Sequence, residues 1–223
     1  MELPPTSAEA EPSSPVIQRA FDWAISFDQQ LVQARLDRLH EKHPRDDAEQ
    51  LARRLISSFR RQGMSAGFLT GLPANPWLAL PASAADVATM LHLEFRLAAH
   101  IALLYEPSFF SEEGAQYELL VPVFGSEVMR HILLQLFGGS ETTPTRSMMK
   151  RIINKETLKT LRSLLLKHFA IRITRKALFA KMIPIVGGFI GGAVNYLEVR
   201  DVGQRIIDFF SHDNLDKIAL KSQ

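Results

Sequence analysis

Residues 181–203 read KMIPIVGGFIGGAVNYLEVRDVG, a stretch with one proline, paired glycines and an uncharged run from 182 to 197. Proline ends or kinks a helix because it has no amide hydrogen to donate. Glycine lets two backbones approach closely. The pattern predicts one helix that reaches Pro184 and a second that runs from about Phe189 to Phe210, joined as an apolar hairpin.

A second uncharged stretch, residues 62–85, lies upstream and reads QGMSAGFLTGLPANPWLALPASAA. Its first three glycines fall four residues apart, and on a helix this spacing makes a smooth stripe that another backbone can contact. Its prolines prevent one continuous helix across the stretch. We expect a helix that begins near Asp46 to change character here, and Ser83 to cap another that runs to about Tyr105.

The rest of the chain shows apolar residues at helical spacing. This predicts helices over 16–42, around 112–120 and over 126–137, and one capped by Asn154 with an apolar face of Leu158, Leu161, Leu165 and Phe169. The β-branched residues 171–174 are expected to interrupt that last helix, with Thr174 capping the next turn. No strand alternation is long enough for a sheet, so the fold class is all-α.

We predict a single multi-helix domain over 16–223, with Pro/Gly-rich apolar helical hairpins, preceded by a disordered acidic, Pro-rich tail at 1–15. The first residues, MELPPTSAEAEPSSP, have neither the basic nor the apolar region of a signal peptide. The chain has 223 residues and no cysteine, which excludes disulfides and thiolate metal sites and favours a reducing cytoplasm. The sequence contains no run of about 20 apolar residues, so we do not expect a simple membrane-spanning helix.

Two segments carry a family resemblance. Residues 175–203, RKALFAKMIPIVGGFIGGAVNYLEVRDVG, resemble the C-terminal signature of the EcsC family. Residues 67–90, GFLTGLPANPWLALPASAADVATM, followed by IALLYEP at 101–107, are similar to the Gly/Pro-rich connector of that family and its following helix. The resemblance implies a helical bacterial protein, linked in some cases to transport systems and membranes. It implies no catalytic residues.

Charge is concentrated in one segment. Residues 146–181 hold eleven Lys and Arg against one acid, whereas residues 1–145 hold eleven against eighteen. A basic helix with apolar neighbours is typical of an interfacial helix at an anionic membrane. The candidate membrane or anion-binding residues are Lys155, Lys159, Arg162, Arg172, Arg175 and Lys176. A solvated face that balances the acidic remainder is the alternative, and nucleic acid is disfavoured because interleaved aromatic residues and known motifs are lacking.

The apolar hairpin has two interpretations. Its distinctive residues are Pro184, Gly187, Gly188, Gly191, Gly192 and Asn195. They fit a re-entrant or shallow membrane insertion, but such backbone needs hydrogen-bond partners that lipid does not supply. They also fit tight helix–helix packing inside the protein, which the short length favours. Asn195 is expected to satisfy backbone groups near the Pro184 break.

A polar stripe on the predicted helix 83–105 suggests a pocket. His92, Arg96 and His100 lie four residues apart, with Tyr105 further along. A polar network between helices or at the surface is the simpler interpretation, and metal binding is disfavoured because the Arg96 cation would repel a metal ion. No catalytic motif is present, and no cofactor is predicted.

The sequence thus favours a cytoplasmic, non-enzymatic protein that associates peripherally with the inner, cytoplasmic face of a membrane. Its partner would be an anionic membrane surface or a membrane transport protein, with the homo-oligomeric state undetermined. A small ligand-binding domain or enzyme, with an interhelical pocket near His92, Arg96 and Tyr105, is the alternative.

Overall fold

The computed structural model describes the backbone of residues 14–70, 79–112, 114–137, 155–182 and 187–221, and the side chains of 14–68, 82–112, 114–136, 156–178 and 191–211. Within these ranges the secondary structure is helical, and no strand occurs, so the all-α prediction is confirmed. The longer helices are α1 Pro15–Ala24, α2 Gln29–Lys42, α3 Ala48–Thr70, α4 Ala79–Tyr105, α5 Leu120–Phe124, α6 Ser126–Phe137, α7 Lys155–Met182 and α8 Gly187–Lys221. Most of the predicted tail lies outside the described residues, and α1 begins at its last residue, Pro15.

The first predicted helix, over 16–42, is two helices. Asp28 separates α1 from α2, and its carboxylate accepts hydrogen bonds from the backbone amides of Gln30 (2.8 Å) and Leu31 (3.2 Å). An Asp at this position satisfies amides that have no partner within the helix. The expectation of one helix was therefore wrong because the N-cap at Asp28 starts a new one.

Helices α3 and α4 are longer than expected. Helix α3 continues through Gly63 and Gly67 to Thr70, and α4 begins at Ala79, so Ser83 lies inside α4 and does not cap it. Pro81 falls in the first turn of α4, where the missing amide hydrogen has no helical partner to lose. Gly71 and the connector 71–78 lie outside the described residues.

Helix α7 is continuous, so the predicted interruption at 171–174 was wrong. Ile173 is buried in the core, and Thr174 donates its hydroxyl to the carbonyl of Ala170 at 3.1 Å, within the helix. Tertiary packing outweighs the modest helix penalty of β-branched residues here. Residue Asn154, the predicted cap, lies outside the described residues.

The chain between α4 and α6 turns twice at glycines. The predicted helix 112–120 is instead a 3₁₀ helix, Ala115–Leu119, that leads directly into α5. Gly114 and Gly125 have φ angles of 84° and 87°, which side chains with a Cβ rarely adopt. Arg205 of α8 donates to the carbonyls of Pro122 (3.0 Å) and Val123 (3.3 Å) and so ties α5 to α8. Helix α6 has the predicted bounds.

Helix α4 is the centre of the fold and contacts α1, α2, α3, α7 and α8. Its buried side chains include Leu91, Phe95, Leu97 and Ile101. Among the described residues, Ala82–Tyr105 of α4 is the one helix with the length and hydropathy of a membrane span. The helical segments Ala115–Phe124 and Ser126–Leu136, which meet at an angle of 119°, reach that length and hydropathy only when they are counted as one. Most of the α4 stretch is buried by its neighbours, as in the core helix of a globular domain.

Helices α3 and α8 approach each other at glycines. A Cβ placed on Gly67 would lie 2.5 Å from the carbonyl oxygen of Gly191, and a Cβ on Gly192 would lie 3.0 Å from that of Met64. Real Cβ atoms do not come as close as 2.5 Å to a backbone oxygen. Gly67, Gly191 and Gly192 therefore allow α3 and α8 to pack closely inside the protein. This agrees, for these glycines, with the helix-packing interpretation of the apolar hairpin.

We expect Gly67→Ala to destabilise the protein by about 1–3 kcal/mol, because the added methyl must push α8 away. The gain of about 1 kcal/mol in helix propensity opposes this effect but is smaller than the steric cost. Urea unfolding followed by circular dichroism measures the change. Ser65→Ala, an exposed change on the same helix, is the matched control and should stay within about 0.5 kcal/mol of wild type. A Gly67→Ala protein as stable as this control would contradict the close contact.

Candidate functional site

A charged cluster lies where α4, α7 and α8 meet. Asp86 of α4 is only 1% exposed and forms an ion pair with Lys176 of α7. Asn195 of α8 is fully buried between them: its amide nitrogen lies 3.5 Å from an Asp86 oxygen, and its oxygen accepts from the Lys176 amine at 3.4 Å. Buried polar groups need such partners because an unpaired one costs several kcal/mol.

A second part of the cluster lies two turns further along α4. Glu94 is fully buried, and Arg172 of α7 lies 3.7 Å from it while pairing directly with Glu198 of α8. Burial raises the pKa of Glu94 to about 8, the Arg172 guanidinium opposes this rise, and the Glu198 carboxylate adds to it. Burial also lowers the pKa of the Lys176 amine, against the Glu198 carboxylate, which raises it.

These contacts change the interpretation of two predicted anion-binding residues. Arg172 and Lys176 are engaged with carboxylates of α4 and α8, so they hold helices together and do not present free charge to a membrane. Among the described residues, Asn195 contacts the side chains of Asp86 and Lys176, and the backbone around Pro184 that it was predicted to satisfy lies outside them. Pro184 itself lies outside the described residues, and Gly187 and Gly188 begin α8.

The other predicted basic residues lie along the outside of α7. Arg162 makes a two-pronged contact with Asp22 of α1, with nitrogen–oxygen distances of 2.7 and 2.8 Å. Lys159 and Arg175 are exposed, and Lys155 is the first residue of the helix. The apolar face of α7, including Leu161, Leu165 and Phe169, is buried in the core.

Arg162 and Lys159 also border a cavity of about 280 Å³ between α1 and α7. Its wall is mainly apolar, with Phe21, Ile25 and Leu120 among its residues. The ion pair with Asp22 neutralises the charge of Arg162, so the cavity has few polar groups that could recognise a ligand.

The predicted pocket residues do not converge. His92 stacks on Trp23 of α1 with ring centres 4.3 Å apart, whereas His100 meets the edge of Phe59 of α3 and Tyr105 stacks on Phe210 of α8. Burial lowers the pKa of His100 to about 4. In the part of the chain that the structure describes, no group of three or more His, Cys, Asp or Glu is placed to hold a metal ion.

His92 therefore contacts α1, Arg96 and His100 both contact Phe59 of α3, and Tyr105 contacts α8. Arg96 lies with its guanidinium carbon 6.0 Å from the centre of the Phe59 ring, on the side of α4 that faces α3. The cavity between α1 and α7 is lined by none of the four. Their contacts are those of an interhelical polar network, the simpler of the two interpretations of this stripe.

One end of the molecule exposes large apolar side chains. The last turns of α3 and α7 and the first turns of α4 and α8 meet there, as the contacts of Gly67 with Gly191 and of Asp86 with Lys176 show. Five side chains near these helix ends are between 39% and 52% exposed: Met64, Phe68, Leu178, Val194 and Leu197. We call this region the apolar end.

The apolar end has an excess of positive charge. Residues 60–90 and 170–201, which contain its helices and their uncharged connectors, hold seven Lys and Arg against three acids. All three acids are paired with a cation of the same set: Asp86 with Lys176, Glu198 with Arg172 and Asp201 with Arg200. Arg60, Arg61, Arg175 and Lys181 make up the excess.

Arg60 lies over the ring of Tyr196, with its guanidinium carbon 3.8 Å from the ring centre. Arg61 and Arg175 are exposed. Cations beside exposed apolar groups form an amphipathic surface of the kind that binds anionic interfaces.

No protein-family model, no curated protein and no solved structure matches this chain. The resemblance to the EcsC family therefore stays a prediction.

The Asp86–Lys176 pair is expected to stabilise the fold measurably. Lys176→Gln leaves the buried Asp86 carboxylate without its cation, so we expect the unfolding free energy to fall by about 2 kcal/mol. This loss is smaller than that for a fully buried ion pair, because Lys176 is partly exposed to water. Asp86→Asn should also destabilise, and the double variant should lose less than the sum of the two by more than about 1 kcal/mol. Arg175→Gln, an exposed change beside Lys176, is the control. Additive losses would argue against the pair.

Glu94 should make stability depend on pH. Its pKa in the folded protein, about 8, lies above the ordinary value of 4.5, so the folded state favours the protonated carboxyl. Its stabilising contribution is complete below about pH 4.5 and is lost as pH rises toward 8. Between pH 5 and pH 8, we expect the unfolding free energy of Glu94→Gln to rise relative to that of wild type by on the order of a few kcal/mol, as measured by urea unfolding. The exposed change Glu49→Gln should show no such gain, and equal slopes for Glu94→Gln and wild type would refute the shift.

Proposed function

We propose that this protein attaches peripherally to an anionic membrane surface at the cytoplasmic face through its apolar end, without catalysing a reaction. The observation that supports the proposal is the set of five exposed apolar side chains on α3, α7 and α8 at the apolar end, with the exposed cations Arg61 and Arg175 on the same helices. The resemblance to the EcsC family, with its links to membranes and transport systems, agrees with this proposal.

The two kinds of group act together. Full burial of a large apolar side chain in a nonpolar phase is worth about 1.5–3 kcal/mol, and half-exposed ones gain a part of this. Each Lys or Arg near an anionic leaflet adds about 1 kcal/mol before screening by salt. Several such contributions together suffice for reversible binding, which suits a peripheral protein.

The depth of insertion is limited by the charged cluster. Asp86 and Lys176 lie about two helical turns from the ends of α4 and α7, at about the level of Val194, and Arg172, Glu94 and Glu198 lie further from those ends. Charges are expensive at the bilayer centre. Shallow contact by Phe68, Leu178 and their neighbours is therefore favoured over deep insertion of the helices.

The orientation follows from the packing of α7. An interfacial helix lies flat with its apolar face in the membrane, but the apolar face of α7 is occupied by the core of the protein. End-on docking leaves that core intact. The cations used would then be Arg61 and Arg175, and Lys159 and Arg162 would stay further from the surface.

Flotation with vesicles tests the proposal. The wild-type protein should float with phosphatidylcholine vesicles that contain phosphatidylserine and not with phosphatidylcholine alone. At about 0.5 M salt, where the Debye length falls to about 4 Å, binding should weaken but persist through the apolar contacts. Absence of binding to the anionic vesicles at low salt would overturn lipid attachment and point to a membrane transport protein as the partner.

Matched variants locate the surface. Phe68→Ser with Leu178→Ser should reduce flotation at least about tenfold, because it removes apolar contacts of the apolar end. Val16→Ser with Leu31→Ser removes two exposed apolar side chains of α1 and α2, away from the apolar end, and should have no effect. For the charges, Arg61→Gln with Arg175→Gln should weaken binding more than Arg53→Gln with Arg130→Gln. Equal effects of test and control pairs would contradict end-on docking.

A further inference from the structure

A groove between α2 and α3 collects positive charge. Its volume is about 210 Å³, and it is lined by Arg35, Arg38 and Lys42 of α2 and by Arg54 and Ser58 of α3, together with two leucines. Four of the lining side chains are cations and none is a carboxylate. Like charges repel, so such a set is least costly when an anion lies among them.

Three cations of α2 share a face. Arg35, Arg38 and Lys42 follow the i, i+3, i+7 spacing that places side chains on one side of a helix. Asp37 lies on another side, where its carboxylate accepts a hydrogen bond from the Gln33 amide at 2.9 Å. Glu41 follows Arg38 by three residues, but its carboxylate does not line the groove.

Arg35 is fixed in place. It is half-buried, donates to the Ser58 hydroxyl at 2.9 Å and lies over the Phe59 ring with 4.5 Å from guanidinium carbon to ring centre. Burial lowers the pKa of Arg35, and the nearby Arg96 cation lowers it further. In the described part of the chain, Arg54 is the one cation of the groove with an acidic partner, Asp46. Arg38 and Lys42 are exposed at the mouth.

We propose that this groove binds the phosphate group of a small, multiply charged anion. The planar guanidinium of arginine can donate two parallel hydrogen bonds to phosphate oxygens, and an arginine that is already held in place loses little conformational freedom on binding. The Ser58 hydroxyl supplies a further hydrogen-bond donor. The volume lies below the 300–1,000 Å³ typical of sites for larger organic ligands, which restricts the occupant to a compact phosphate or diphosphate group.

The groove is separate from the apolar end. Ser58 of the groove precedes Phe68 of the apolar end by ten positions, which is about 15 Å along α3, and Arg60 and Arg61 lie between them. The two surfaces share no lining residue. The inference therefore goes beyond the proposed membrane attachment, and either can fail alone.

Calorimetric titration of the whole chain with inorganic pyrophosphate at low salt tests the site. We expect saturable binding that Arg38→Gln with Lys42→Gln weakens at least about tenfold, because two contacts to a charged group are lost. Arg53→Gln with Arg130→Gln removes two exposed cations outside the groove and should leave pyrophosphate binding unchanged. Both variant pairs change exposed residues, so circular dichroism should show wild-type folding.

The source of the phosphate is decided by vesicles that contain phosphatidic acid, whose headgroup is a phosphate monoester. These vesicles are tested with the Phe68→Ser, Leu178→Ser variant, in which attachment through the apolar end is weakened. If adding Arg38→Gln and Lys42→Gln to this variant leaves flotation unchanged, the groove takes a soluble phosphate. If the addition lowers flotation at least about tenfold, the groove takes a lipid headgroup. No binding of pyrophosphate by the wild type, or equal weakening in the control pair, would overturn the site.

Discussion

The contact between Gly67 and Gly191 is the constraint on which the arrangement of the core depends. It brings the backbones of α3 and α8 together, and the space over Gly67 is also where Asn195 sits, 2.5 Å from the position of an added Cβ. Asn195 in turn reaches Asp86 and Lys176. One missing side chain on α3 thus permits a polar connection among three other helices.

The charged cluster gives those helices a fixed register. Apolar packing tolerates sliding by part of a turn, but the contacts of Lys176 with Asp86 and of Arg172 with Glu198 require α7 to lie at one height against α4 and α8. Buried ion pairs contribute little net stability compared with apolar residues of the same shape, and fixing the register is one role they can fill. The same arrangement buries Glu94 and raises its pKa to about 8, so ionisation of this carboxyl is unfavourable in the folded protein.

The helical pattern was predictable from sequence because periodicity and prolines are local signals. The bounds of α6, the end of α4 at Tyr105 and the buried face of α7 follow from them. The split at Asp28 was missed because a capping aspartate looks like any other polar residue on a helix, and the continuity of α7 because burial of Ile173 is a tertiary effect.

The site was less predictable because charge counts do not show pairing. The basic segment 146–181 looks uniform in sequence, yet the structure divides it into Arg172 and Lys176 inside and Arg175 outside. The groove of α2 and α3 was missed although those helices hold seven Lys and Arg against three acids, because a charge count does not show which cations of two helices face each other. The neighbours of the polar stripe could not be predicted either, because His92 and His100, eight residues apart, contact different helices.

The pairing of Arg162 with Asp22 has a consequence for how the chain acquires its structure. The two residues are 140 positions apart, and the nearby rings of Phe21 and Phe169 also join the two ends of the sequence. On the ribosome, which adds about 5–20 residues per second, the first helix is made many seconds before its partner. Until α7 emerges, the apolar face of α1 has no cover from it, so completion of the core waits for the C-terminal third of the protein. Contacts of such long sequence separation slow folding, and they make the nascent chain a substrate for chaperones that shield apolar helices.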